Sequence, residues 1–287
     1  MLRAHGIEAT VARRGAQLCS LRKNDVPYLY EGDADGFWEK SAPLLFPAVG
    51  RSAKDRWILD SGREIPMPRH GFARDCDFEV LSVSQDQLVL ELATTSKMLA
   101  TYPFRFRLIA RYQVTAAGLY SHYRVANAGQ DLMPFSFGLH PAFRWPLDVA
   151  HAPRDSWHLR FPNPISAPRH EITAEGYRSG CMRPCLEGET HTLRDLDFLD
   201  DAIVIEGPEF QSVRLESAKS QLGVEVRFTR APWIGFWTQP GAPFICVEPW
   251  WGVAARDGES GGIQAKDGIR WLKPGEADAF EMAVRLF

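Results

Sequence analysis

Residues 104–114 alternate strictly enough to limit what this chain can fold into. Phe104, Phe106, Leu108, Ala110, Tyr112 and Val114 fall on one side of a two-residue period, and Arg105, Arg107, Arg111 and Gln113 on the other. Successive side chains of a strand point to opposite faces, so this stretch has one buried face and one wet face. The same pattern recurs at residues 119–125, 213–215, 222–228 and 280–286, so the chain is expected to end on a strand.

Turn signals separate these runs at short intervals: Ala117-Gly118, Asn127-Ala128-Gly129, Glu206-Gly207-Pro208 and Pro240-Gly241. Short strands punctuated in this way predict an all-β sandwich or barrel. No segment carries a long helical period. The 20 prolines and 23 glycines are spread along the 287 residues rather than gathered into a linker, which predicts one large domain over residues 1–287. Residues 151–184 stand apart. They hold five prolines and many polar side chains, and are read as a long excursion with one or two strands, of the kind that shapes a site or merely decorates a surface.

The 33 basic and 36 acidic residues are interspersed, with no basic run to meet nucleic acid or an anionic membrane, so a small-molecule partner is expected. Residues 42–49 form the longest apolar block, too short to span a bilayer. The start, Met1-Leu2-Arg3-Ala4-His5-Gly6, lacks a secretory pattern, so a cytoplasmic location is expected. The five cysteines (Cys19, Cys76, Cys181, Cys185, Cys246) are irregularly spaced and are expected to be reduced thiols. Cys181 and Cys185 lack the second ligand pair a zinc site would need.

Four segments break the alternation with residues that a plain sandwich does not need. They are Leu45-Phe46-Pro47-Ala48-Val49-Gly50-Arg51, Pro68-Arg69-His70-Gly71-Phe72-Ala73-Arg74-Asp75, Phe137-Gly138-Leu139-His140-Pro141-Ala142-Phe143 and Phe244-Ile245-Cys246-Val247-Glu248-Pro249-Trp250-Trp251-Gly252. Each sets an ionisable group among glycine, proline and aromatic residues. A histidine beside proline is more often structural than catalytic, and Arg74 could simply pair with Asp75. Glu248 is harder to assign a bland role, because a carboxylate emerging from an apolar run is seldom buried without a purpose.

Taken in order, these segments resemble the aldose 1-epimerase (galactose mutarotase) family, and most closely its LacX-like branch. The matching strings are Phe46-Pro47-Ala48-Val49-Gly50-Arg51, Arg69 through Phe78, Gly138 through Phe143, Phe244 through Gly252, and a closing Gly268-Ile269-Arg270-Trp271-Leu272-Lys273-Pro274-Gly275-Glu276. The resemblance implies a large antiparallel β-sandwich, the galactose mutarotase-like supersandwich, with a sugar cleft and no metal or organic cofactor. It also implies His140 as general acid, Glu248 as general base, and His70, Arg51 and Asp201 as sugar-binding residues. The chain departs from the family after Gly252, where Val253-Ala254-Ala255-Arg256-Asp257 replaces an early aspartate and leaves the form of that loop open.

Anomer interconversion opens the ring by taking a proton from the C1 hydroxyl and giving one to the ring oxygen. It therefore needs two groups of opposite protonation flanking C1. A glutamate is already ionised at neutral pH, whereas the histidine is expected to need an upward pKa shift. Among Trp233, Phe236, Trp237, Trp250 and Trp251, Trp237 is the candidate stacking surface for a sugar face. Three other functions remain open: a hexose-6-phosphate 1-epimerase using Arg51, Arg69 or Arg74, a non-catalytic sugar sensor, and a metal enzyme using His70, His140 and Glu248. The last is disfavoured because no HxH or HxxxE string exists. Arg69 is expected to point away from His70 if that stretch is extended, which leaves Arg51 and Arg74, both expected substrate-binding residues, as the candidate cations of the cleft.

Overall fold

The computed structural model describes residues 1–32 and 36–287. Its main sheet has fifteen strands, all paired antiparallel. The strand order begins Leu44–Leu45, Phe137–Leu139, Phe244–Trp251, Trp233–Trp237, Ile203–Glu206, His158–Ile172. It continues Ser212–Glu216, Val224–Phe228, Ala277–Leu286, Gly118–Asn127, Phe106–Thr115, Gln87–Ala93, Glu79–Val83. A four-stranded N-terminal sheet, Leu2–Ala4 to Val26–Pro27, packs on the same core.

Aromatic contacts show the main sheet doubling over on itself. Phe137, near one end of the strand order, stacks on Phe280, seven strands away, with ring centroids 4.6 Å apart. Trp251 meets the same ring at 4.7 Å. One apolar cluster running from Leu2 to Leu286 fills the space between the layers. The fold is therefore an all-β sandwich. The alternation at residues 104–114 appears as the strand Phe106–Thr115, with Phe106, Leu108, Ala110, Tyr112 and Val114 buried and Arg107 and Arg111 exposed. The final strand, Ala277–Leu286, also falls where expected.

The excursion is more regular than its sequence indicated. Residues 151–184 lie mostly in a long hairpin, His158–Ile172 paired with Arg178–Thr192. Much of this ribbon is exposed on both faces, so no inside–outside alternation is written into it. Its pairing slips between Arg160 and Ile165, around Pro162 and Pro164, which cannot donate to a ladder. All five cysteines are unpaired. No helix among the described residues is long and apolar enough to cross a membrane.

Candidate active site

The strand Phe244–Trp251 is buried throughout and divides its side chains between two faces. Ile245, Val247 and Trp251 join the main core, while Phe244, Cys246 and Trp250 belong to two smaller clusters on the opposite side. Glu248 shares the second face by the two-residue period. Across the ladder, Glu248 is registered with Gly235 and Cys246 with Trp237.

His140 reaches Glu248 because of a short interruption between two strands. Phe137–Leu139 and Ala142–Arg144 both pair with Phe244–Trp251, and His140-Pro141 bridges the gap between them. The Pro141 carbonyl accepts from the Val247 amide at 3.2 Å, closing the gap over the central strand. His140 Nε2 then lies 3.1 Å from Glu248 Oε2, with the two side chains 10% and 1% exposed. Neither Glu248 oxygen nor His140 Nδ1 has an aligned hydrogen-bond partner within the protein. Buried acceptors left in this way are costly unless a ligand satisfies them.

Burial pushes the Glu248 carboxyl well above the usual carboxylate range, and the Asp201 charge adds to the effect. Burial pushes His140 the other way, to about 3, with Arg74 and Arg69 contributing. The upward shift expected for His140 is thus reversed: desolvation at this depth dominates, and Glu248, itself held protonated by burial, offers no charge to oppose it. The pair titrates as a unit, and both directions favour a neutral state holding one proton.

His70 enters through a tight turn. Its φ is 67° and that of Gly71 is 69°, and a Cβ on Gly71 would sit 2.2 Å from the Phe46 carbonyl oxygen. Only glycine fits such an approach. The turn docks on the first motif: the His70 amide donates to Gly50 O at 3.0 Å, and the Gly50 amide donates to His70 Nδ1 at 3.2 Å. That acceptor role leaves Nε2 carrying the ring proton, and burial, His140 and Arg74 keep the ring neutral. The His70 and His140 rings are 5.7 Å apart.

A cavity of about 690 Å³ opens over this pair, within the usual size range of small-molecule sites. His70, Arg74, His140, Asp201, Trp237 and Glu248 all line it. Arg51 does not. Its guanidinium grips both Asp55 oxygens at 2.9 and 2.8 Å, donates to the Glu175 carbonyl at 2.8 Å and covers the Tyr177 ring, so the expected sugar contact is replaced by a tie between two loops. Arg69 differs from expectation in the opposite sense. The left-handed backbone at His70 abolishes strand alternation, and Arg69 lines the cavity, 3.4 Å from Asp201 Oδ2.

Sequence reasoning missed Trp38, whose ring lies 4.8 Å from that of His140 and tilted by 34°, with Trp237 edge-on to both. An aromatic pair, Phe37-Trp38, in an otherwise polar and glycine-containing loop was the available signal. The hairpin's contribution was also missed. Buried Arg169 donates to the carbonyls of Asp197 at 2.7 Å and Ala202 at 2.9 Å, fixing the loop that carries Asp201. Buried Arg178 donates to Ala254 O at 2.9 Å and to Asp267 at 2.7 Å. Lys266, pushed down to about 8 by burial, donates to Val253 O at 2.6 Å. The loop that lacks the family's aspartate is therefore held from behind by two cations. The metal set considered from sequence, with His70, is not the cluster that forms. Instead His140, Cys246 and Glu248 place one ligand atom each within 4.8 Å of one another, assembled across strands rather than from a local string.

A buried His–Glu pair thus lies beneath a polar, tryptophan-flanked cavity in a β-sandwich. The sequence profile described as Aldose 1-epimerase matches residues 1–259, and the chain belongs to that family. The protein LacX (plasmid) of Lactococcus lactis subsp. lactis is 30% identical over 277 residues, covering 91% of this chain and 90% of that one. A galactose mutarotase-like protein from Lactobacillus casei ATCC 334 superposes with a TM-score of 0.92 at 29% identity, covering 100% and 99% of the two chains. A galactose mutarotase related enzyme from Lactobacillus acidophilus gives 0.92 at 26% identity, covering 100% and 96%. The protein is an enzyme of the sugar epimerase class.

Proposed function

We propose that the protein interconverts the α and β anomers of a free aldose, with His140 and Glu248 moving the two protons. The observation that carries this is the 3.1 Å approach of His140 Nε2 to Glu248 Oε2, with the carboxyl buried on the cavity lining and the Trp250 indole beside it. The pair holds one proton, which suits ring opening in either direction. With that proton on His140, Glu248 accepts the proton of the C1 hydroxyl and the imidazolium gives its own to the ring oxygen. Closure from the other aldehyde face reverses both transfers. Burial alone favours the neutral pair. Sugar hydroxyls donating to the carboxylate stabilise its ionised form and bring the charge-separated pair within reach. Each positioned group contributes about 10²–10⁴-fold. His70 Nε2–H and Asp201 supply hydroxyl partners, and Trp237 with Trp38 forms an apolar wall.

A free sugar is favoured over a phosphate ester by charge pairing around the cavity. Arg69 faces Asp201 and Arg178 is bound to Asp267, which leaves Arg74 the least neutralised. The second reading, a hexose 6-phosphate substrate, is kept because Arg69 joins Arg74 on the cavity wall and two converging cations suit a phosphate. NMR exchange spectroscopy across free hexoses and hexose 6-phosphates tests both. Efficient turnover of a free hexose, little changed by salt, supports the first. Much faster turnover of an ester, with a steep salt dependence lost in Arg74→Ala, replaces it with the second.

A further inference from the structure

Cys246 has no part in the proton transfers, yet it lies two residues before Glu248 on the same face of the same strand, fully buried beside His140. Its thiol is the third ligand-type group in a buried cluster in which neither Glu248 oxygen has an aligned hydrogen bond. Nitrogen, sulfur and carboxylate oxygen together are the donors that zinc prefers, and three protein ligands with one open position make a typical zinc site. Bonds of about 2.0–2.3 Å set the ligands of a tetrahedral ion about 3.5 Å apart. The three ligand atoms lie within 4.8 Å of one another, so the widest separation exceeds that spacing by at most about 1.3 Å.

We propose that His140, Cys246 and Glu248 form an inhibitory site for a zinc-type divalent cation, which captures the acid–base pair and so competes with the sugar. This rests on the acid–base reading of the site only for its effect on turnover, not for binding itself. Binding displaces the thiol proton and the single proton of the His140–Glu248 pair, and both leave to solvent. The dication, thiolate, carboxylate and neutral imidazole then sum to zero charge, which suits a buried position. The ion reaches the site from the cavity, which His140 and Glu248 both line. Such an ion is an inhibitor rather than a cofactor, because it occupies the lone pairs the reaction needs.

Cobalt(II), which takes the same geometry and is coloured, serves as the probe for the full-length protein. The expected result is one equivalent bound, with a near-ultraviolet thiolate-to-cobalt band that zinc abolishes. Cys246→Ala should lose the band, keep metal-free activity and need at least about tenfold more zinc for half-inhibition, since even outer-shell changes cost that much. Cys246→Val, which fills the thiol's space without a donor atom, gives the same comparison if the alanine variant folds poorly. No thiolate band in the wild type, a band persisting in both variants, or equal zinc inhibition in all three overturns the proposal. If no sugar is turned over but the band depends on Cys246, the metal site stands and the epimerase reading fails. Sugar turnover with no band removes the metal site and leaves the epimerase reading standing.

Discussion

Gly235 faces Glu248 across the ladder, and the ring of Trp250 occupies the space that a side chain on Gly235 would take. A Cβ there would lie 2.8 Å from the six-membered ring of Trp250, and a Cβ built on Gly138 would lie 2.9 Å from Cδ1 of the same indole. Two glycines on strands flanking the one that carries Glu248 thus make room for an indole beside that carboxyl. Gly235→Ala should cost about 1–3 kcal/mol of stability through overpacking and lower turnover by tilting Trp250 toward the carboxylate. Calorimetry and polarimetry on the variant check both effects. Unchanged activity would show that the position of Trp250 does not matter to the reaction.

Glu248→Gln should reduce anomer exchange by about 10²-fold or more while making the protein more heat-stable at neutral pH. The folded-state pKa of Glu248 lies well above its value in the unfolded chain. As pH rises past the unfolded value, the unfolded state ionises while the folded state keeps its proton, so this group lowers stability through that window and most fully above its folded pKa. Glutamine removes the penalty. The melting-temperature gain over wild type should therefore grow from pH 5 to pH 8, as read by differential scanning calorimetry. A gain that shrinks over that range contradicts the raised pKa.

His140→Asn should lower kcat more than it weakens sugar binding, because the proton is delivered only as the ring opens. The pH profile of kcat/KM should have its acidic limb near pH 3, where the free enzyme's His140 takes a second proton. Its alkaline limb belongs to loss of the pair's one remaining proton, with Glu248 raised by burial. This order is the reverse of that for two unperturbed groups. An acidic limb at the ordinary imidazole value of about 6.5 would refute the buried, neutral His140.

Arg178→Met should raise KM while sparing kcat. It keeps the aliphatic stem but removes the donors to Ala254 O and Asp267, so the cavity wall loosens while the strand carrying Glu248 is untouched. Two buried hydrogen bonds are worth about 1–3 kcal/mol or more, which corresponds to at least a ~5-fold loss in binding. Arg178→Lys should recover part of it. A fall in kcat with KM unchanged would mean that the hairpin acts on the chemistry itself.

Arg51→Ala should leave the kinetics within about twofold, because Arg51 does not line the cavity and its guanidinium is engaged by Asp55 and the Glu175 carbonyl in partly solvated contacts that are worth little. Arg74→Ala, on the cavity wall, should weaken binding measurably. A large loss of sugar affinity in Arg51→Ala would restore it to the site.

The strands were legible wherever one face is dry. Phe106–Thr115 and Ala277–Leu286 show this, since burial on one side imposes the two-residue period on the sequence. The hairpin His158–Ile172 with Arg178–Thr192 was not legible, because a ribbon wet on both faces has no reason to alternate. That His140, Glu248 and His70 would come together on one cavity was legible because they sit in strings held by steric demands, such as the Gly71 approach to Phe46 O. Arg69 reaches the cavity because the left-handed residue at His70 breaks the alternation, whereas Arg51 is drawn to Asp55 and the Glu175 carbonyl, a long-range contact that no spacing rule records. The pKa of His140 was misjudged for a similar reason: depth of burial belongs to the assembled sheet, not to its neighbours in sequence.

Arg169 and Arg178 sit on the two arms of one hairpin and brace opposite walls of the cavity, whereas His140 and Glu248 ride on the central strands. The ribbon thus bears on the cavity chiefly through the loops it holds, on a stretch of chain separate from the His140–Glu248 pair. Under the proposed reaction, a substitution in residues 158–192 would shift the loop that carries Asp201 or the one that ends at Ala254 while replacing neither member of the pair. The shape of the cavity could then drift with its two proton-carrying groups unchanged.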